Sequence, residues 1–298
     1  MTAIRATLPY RSYRFVGDDA LTFLQGQLTQ DIKSIHVNHC HYGAYCSHKG
    51  RMYANVWLRA HPDATSNDYL LRLHEANAEA VIKRLQLFIL RTNVSIEAQT
   101  LQHIGLNTVA AKALCQASGV VLPEVFDSVN LGNNAILCAL PGDYFELFLP
   151  AENTLTATLG DMREDLEAIE SLRLSAGHFH IYPATSEQIL PQQTPLEAWG
   201  GINYQKGCYV GQEIIARNKY RGKVNKGLAY AVFDTPVEAT LLTPVLDGDK
   251  PVGKVIDSYT GAQTYCLALL PLTAFGHMLN LGDTNQPARF TPIIPLSD

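Results

Sequence analysis

Near the start of the chain, apolar residues recur three or four apart at Leu21, Leu24, Leu28 and Ile32, behind Asp18 and Asp19 as candidate N-caps. That period predicts an amphipathic helix over "GDDALTFLQGQLTQDI". Gly26 interrupts it at about 1 kcal/mol relative to alanine, so a packing contact or local turn is expected there. After a histidine-rich loop, "RMYANVWLRA" and "DYLLRLH" read as strands joined by the turn-like "HPDATSN", and "EANAEAVIKRLQLFILR" as a helix. Strand patterns resume at "VSIEAQ", "LQHIGL", "NAILCALPG" and "DYFELFLP", with Pro141-Gly142-Asp143 as a hairpin turn. A second long helix, "REDLEAIESLRLSAG", closes at Gly177. From about Arg221 the texture becomes short strands ("GLAYAVFD", "TPVLDGD", "PVGKVIDSY", "AQTYCLALL", "ARFTPI") separated by Gly, Pro and Asp, the pattern of a small β-barrel. The expectation is an α+β body over residues 1–221, two-lobed with lobes discontinuous in sequence, and a β-barrel over 222–298.

Composition narrows the class. The 298 residues are 47% hydrophobic and 17% charged, ordinary for a globular protein and low in charge. A net charge of -5 argues against broad nucleic-acid binding, which relies on many Lys and Arg contacts to phosphate. Locally, Lys206, Arg217, Lys219, Arg221, Lys223 and Lys226 set six positive charges in 21 residues with Glu213 the one acid among them, either a solvated face or an anion site. No signal-like start and no long apolar run is present, so a cytoplasmic location without membrane insertion is expected, and nothing demands more than a monomer. The six cysteines lack a CxxC pair, which suits free thiols in a reducing compartment.

One of them stands out in "INYQKGCYVGQEIIARNKYRG". Cys208 has Lys206 two residues before it and a candidate helix, "GQEIIARNK", just after it. Both a cation and a helix N-terminus stabilise a thiolate. Gly207 and Gly211 bracket the sulfur and permit backbone conformations and close approaches that larger residues resist. These features favour a functional thiol over a packed one, although buried structural cysteine is the common alternative. A cysteine hydrolase would need a histidine base, and His178, His180 and His277 carry no local signature for it. The stretch "HVNHCHYGAYCSHKG" gathers His36, His39, Cys40, His41, Cys46 and His48, a ligand set suited to zinc or iron–sulfur chemistry. Its spacing matches no closed metal site, so no resident metal is expected. A transient ligand near Cys40 or Cys46 stays open.

The segment "KGCYVGQE" is similar to the K-G-C-Y-x-G-Q-E signature of the folate-binding YgfZ family, related to the aminomethyltransferase (T-protein) of the glycine cleavage system. "DALTFLQGQLTQDI", "SHKGRM", "LRLSAG" and "LPQQTPLEAWGGINYQKGCYVGQE" resemble other family segments in order, so the likeness covers most of the chain. It implies a three-lobed aminomethyltransferase-like ring around a central folate site, with a C-terminal β-barrel. It also implies a role in assembly or repair of iron–sulfur clusters in client enzymes, tRNA-modifying ones among them. Tetrahydrofolate or another reduced folate is the implied cofactor, its pterin gripped by Glu197 of "TPLEA". A carboxylate accepts two hydrogen bonds from the pterin 2-amino group and ring N–H, although Glu197 could instead complement a helix start. Lys226 is nearest in position to the family's cation for the folate tail, with Arg221 and Lys223 as rivals. Trp199, Tyr204 or Tyr209 could stack on the ligand. Cys208 is the implied reactive or ligating group, supported by Lys206, Gly207, Tyr209, Gly211, Gln212 and Glu213.

The sequence departs from the aminomethyltransferase where chemistry is concerned. Ala54 and Asn55 stand where that enzyme has acids near the folate nitrogen, and Ser175 where it commonly has glutamate. Without a carboxylate, proton transfer and iminium stabilisation lose their group. A thiol-dependent accessory factor is therefore expected ahead of a one-carbon transferase or a noncatalytic folate-sensing module.

Overall fold

A computed structural model of the chain describes residues 2–61, 68–222, 224–282, 284 and 286–293. Within them the protein is α+β and builds three sheets. The five-stranded sheet runs His41–Cys46, Met52–Ala60, Asp68–His74, Tyr10–Val16 and Ser95–Gln99. The six-stranded sheet runs Arg163–Glu164, Ile4–Thr7, Leu101–Leu106, Tyr144–Pro150, Ile136–Leu140 and Ser128–Asn130. The third is a nearly closed, barrel-like sheet of seven strands. Its order is Ala288–Arg289, Met278–Leu281, Pro244–Asp247, Lys250–Thr260, Thr264–Pro271, Lys226–Phe233 and Thr291–Pro292.

Side chains alternate across a strand, and here both faces of each sheet are covered. In Thr264–Pro271, Cys266, Ala268 and Leu270 fill the barrel, while Leu267 and Leu269 join a core shared by all three sheets. In the six-stranded sheet, Leu137 and Ala139 pack under the Thr108–Ser118 helix, whereas Ile136, Cys138 and Leu140 turn to the shared core. In the five-stranded sheet, Val56 and Leu58 face the helices Ala20–Gln27 and Glu75–Gln86, and Trp57 faces inward. Three lobe cores thus surround a common one.

Most expected elements are present. The helix "EANAEAVIKRLQLFILR" stops at Gln86, leaving Leu87, Phe88 and Leu90 exposed. The turn "HPDATSN" lies, apart from His61, outside the described residues. His41–Cys46 is a corrected expectation: the histidine-rich loop turns into a strand there, and all six of its residues are buried. The Thr108–Ser118 helix has no counterpart in the sequence reading. Its buried face is Ala110, Ala111, Leu114 and Cys115, too small-sided to stand out as an apolar stripe.

The shared core also holds charge. Asp257 sits at a register shift in the Lys250–Thr260 strand, and Val255, Ile256 and Asp257 are buried in succession. A bulge bends the strand and re-aims side chains. Asp257 thereby meets Arg173 of the Leu166–Ser175 helix, Nη1 to Oδ2 at 2.7 Å, with both side chains at most 2% exposed. Tyr182 Oη and the His180 amide also donate to the carboxylate, each at 2.9 Å. Desolvation alone would raise the Asp257 carboxyl, but Arg173 and His180 overcome it and hold it well below the ordinary range. Breaking a buried pair by removing one partner costs about 3–5 kcal/mol. Asp257→Asn is accordingly expected to lower the unfolding free energy measured by urea titration by an amount of that order. A change below about 1 kcal/mol would contradict the account.

Burial also holds histidines neutral. His41 and His74 are lowered to about 4 and His103 and His178 to about 3, each chiefly by desolvation. An unfolded chain takes up these protons near pH 6.5, while the fold resists until near pH 4 to 3. Stability is therefore complete above the unfolded value and falls as pH drops below it. Urea midpoints should decline steadily from pH 6.5 to 5; a flat profile over that range would refute the neutral assignment.

Candidate functional site

The segment 201–211 is an irregular loop moored to the end of the first helix and the turn beyond it. The Asn203 amide donates to Thr29 O at 2.9 Å, the Thr29 hydroxyl to Gly201 O at 2.6 Å, and the Val210 amide to Gly26 O at 3.2 Å. Gly26 meets this loop through its carbonyl, but a Cβ there would touch nothing within 4 Å among the described residues, so the expected packing contact is not what keeps the glycine. Asn203 Oδ1 in turn accepts from the amides of Gln205 and Lys206.

On that scaffold Cys208 is exposed, whereas the other five cysteines are buried. Lys206 points elsewhere. Its ammonium donates to Leu28 O at 2.8 Å and Gln30 O at 2.7 Å and lies 5.0 Å from the Tyr209 ring centre. Desolvation, only partly opposed by Asp31, lowers its pKa to about 8. It fastens the loop to backbone carbonyls instead of directing its charge at the thiol. Tyr209 is buried and its hydroxyl has no hydrogen-bond partner among the described residues. Gln212 Nε2 reaches Lys206 O at 3.4 Å, and Glu213 pairs with Arg217 on the exposed side of the Gln212–Tyr220 helix.

The two bracketing glycines differ. Open space surrounds Gly207. Gly211 has φ +84°, and a Cβ there would stand 2.5 Å from Ser47 O and 3.0 Å from Gly50 Cα. The "SHKGRM" turn thus presses its backbone onto the start of the helix after Cys208. Gly211→Ala combines a left-handed φ with a backbone clash, and a cost of at least about 1–2 kcal/mol is expected.

Glu197 sits in the turns after Pro191–Gln193 and is ion-paired with Lys219 of the Gln212–Tyr220 helix. Lys219 lies 5.6 Å from the Tyr204 ring centre. The Tyr204 hydroxyl and Gln192 Oε1 are buried, and the Tyr204 hydroxyl lies close enough to Glu197 and Gln192 for both to act on it. Burial, and then the Glu197 charge, raise the Tyr204 phenol. The structure thus gathers Glu197, Tyr204, Gln192 and Lys219; the sequence marks Lys219 only as one of six clustered cations and Gln192 not at all, because their positions depend on tertiary folding. Trp199 is 7% exposed and lies in the core, its ring centre 5.0 Å from Tyr42 and 4.8 Å from His178.

Lys226 is exposed at the start of its strand, and among the described residues the ion pair of Glu197 is with Lys219 instead. It lines a shallow cavity of about 320 Å³ with Lys254. Desolvation, then the charges of Lys226 and Arg51, lower the Lys254 pKa, so three cations share this surface. Arg221 lies at the end of the Gln212–Tyr220 helix, and Lys223 falls outside the described residues. Cys40 and Cys46 are buried about 20 Å apart by strand rise, too far to share one ion. Among the described residues no group of three or more His, Cys, Asp or Glu is arranged to hold a metal.

Because Cys208 alone is exposed, a disulfide reagent should modify one thiol per native chain quickly and the other five only on unfolding. Two or more fast thiols would refute this packing.

No family model matches the chain. Among curated proteins it is 28% identical to the tRNA-modifying protein YgfZ of Photobacterium profundum over 277 residues, covering 86% of this chain and 79% of that one. It is 32% identical to the proteins of that name from Photorhabdus laumondii and Pectobacterium carotovorum, over 224 and 219 residues. These alignments cover 71% and 72% of this chain, and the chain spans 65% of each relative's length. Among solved structures, the glycine cleavage system aminomethyltransferase T of Bartonella henselae superposes with a TM-score of 0.74 at 16% identity, covering 99% of this chain and 86% of that one. That likeness concerns fold. By sequence and fold together, the chain belongs to the YgfZ family and has the aminomethyltransferase architecture.

Proposed function

We propose that the protein is a reduced-folate-binding accessory factor for assembly or repair of iron–sulfur clusters in client enzymes, with Cys208 as its reactive or ligating thiol. The process fits its relatives, which are named tRNA-modifying proteins. The observation that carries the reading is the exposed Cys208 on a loop fastened at Gly26, Thr29 and Leu28, within the family signature. A thiol that must meet a large partner belongs outside the core on a loop of defined geometry.

The polar groups near Glu197 match a pterin. The carboxylate and Gln192 Oε1 accept, and the Tyr204 hydroxyl donates or accepts; the last two are buried beside the carboxylate. A pterin offers an amino group and a ring N–H as donors and a carbonyl as acceptor. Lys219 covers Glu197 from the surface, its side chain 47% exposed, and swings aside on binding. The Lys226, Lys254 and Arg51 cations supply an anion-attracting surface for the folate tail.

Anaerobic calorimetric titration with tetrahydrofolate tests the site. Glu197→Ala is expected to weaken binding by about 2 kcal/mol or more, the scale of a lost charged hydrogen-bond pair, while Lys219→Ala retains it. No saturable binding by the wild type would overturn the folate assignment. Cys208→Ser is expected to abolish rescue of cluster-enzyme activity in a deletion strain at normal protein levels; full rescue would remove the thiol from the mechanism.

A further inference from the structure

A cavity of about 530 Å³ opens where the three lobes meet, and it includes neither Glu197 nor Cys208. Thr7 ends the strand Ile4–Thr7 and Leu8 and Pro9 follow it, His74 caps the helix that Glu75 begins, and Leu166, Glu170 and Arg173 come from the helix bearing the buried ion pair. His180, Tyr182, Ser258 and Tyr259 complete its walls. The volume is that of a site for a small organic molecule.

Its chemistry selects the ligand's charge. Arg173 has no donor left for an anion. Nε bonds Glu170, Nη1 bonds His178 O and Asp257, and Nη2 bonds Glu170 and Asp257, which uses all five N–H groups. One guanidinium facing two carboxylates leaves the trio formally negative, and exposed Glu75 adds a further negative charge at the wall. Both Arg173 bonds to Glu170 end on Oε2, while Oε1 accepts none among the described residues, although the side chain is only 10% exposed. Aromatic rings stand beside this carboxylate in the same cavity. His74 and His180 lie 4.5 Å apart between centres and His74 and Tyr182 4.9 Å apart, with Tyr259 also in the lining. Burial keeps both imidazoles uncharged. Carboxylates among aromatic faces form the environment in which an ammonium group is held by ion pairing and cation–π attraction.

We propose that this junction cavity is a second ligand site, which binds an alkylammonium group with a short apolar stem. The head meets Glu170 Oε1 and the rings, and the stem lies along Leu8, Pro9 and Leu166. A free amine and the lysine side chain of a protein partner present the same chemistry.

The intact protein is titrated by calorimetry with 1,5-diaminopentane, Nα-acetyl-lysine methylamide, 1-pentanol and pentanoate. Saturable binding of one or both amines, with neither the alcohol nor the acid binding, is expected. Glu170→Gln should weaken it about tenfold or more. Because that change also touches Arg173, Leu166→Trp serves as the second variant. Leu166 is 41% exposed at the wall, so the substitution fills the cavity without entering the core, and it should also weaken binding about tenfold. A tighter lysine derivative identifies a partner side chain, a tighter diamine a free amine, and equal affinity the shared head group. No amine binding up to about 10 mM, equal binding of the alcohol, or affinity unchanged in Leu166→Trp would overturn the proposal. Tetrahydrofolate titration of Leu166→Trp should match the wild type, so this site and the folate reading fail independently.

Discussion

The junction of the lobes turns on the contact between Asp257 and Arg173. Taking each charge out of water costs several kcal/mol, and the pair is tolerable because both ions are fully coordinated. Apolar burial in the shared core supplies most of the favourable energy, but Leu, Ile and Val side chains accept many registers. The ion pair accepts one. It fixes the barrel strand Lys250–Thr260 against the helix Leu166–Ser175, and through His178 and His180 it fixes the segment that follows that helix. Near it a second buried pair, Arg72 with Glu146, joins the five-stranded sheet to the six-stranded one. Each lobe is thus located against the others by a charged contact set within apolar packing.

This arrangement explains what could be read in the sequence and what could not. Strands buried on both faces give near-continuous apolar runs, which is why "AQTYCLALL" and "DYFELFLP" were legible. The same two-sided burial hid His41–Cys46, because its residues include His, Gly and Cys among polar neighbours, and its cover comes from segments far along the chain. Asp257 in "KVIDSY" resembles a turn acid. Its role depends on a bulge and on an arginine 84 residues earlier, neither of which leaves a local pattern.

The site shows the same division. "KGCYVGQE" and "TPLEA" could be found because their residues are neighbours in the chain. Lys206 could not be oriented, since its carbonyl partners lie 178 and 176 residues earlier. Spacing placed its charge beside the sulfur, and the fold directs it to Leu28 and Gln30. Gly211 was visible as a glycine, but its necessity comes from the Ser47–Gly50 backbone pressed against it. Local chemistry identifies the participants; long-range contacts decide which way they face.

Asn55 carries the argument about chemistry furthest. Its Nδ2 donates to Phe179 O at 2.6 Å, and its Oδ1 accepts from the Ile181 amide at 3.1 Å. An amide suits that pair of partners because it offers one donor and one acceptor. An ionised carboxylate has no donor, so an aspartate would set an oxygen against the Phe179 carbonyl. Asn55 is thus a brace for the segment between the Arg173 helix and Tyr182. An acid there would loosen the segment that positions His180 against Asp257. The amide of Asn55 is therefore part of the same lock that joins the Arg173 helix to the barrel.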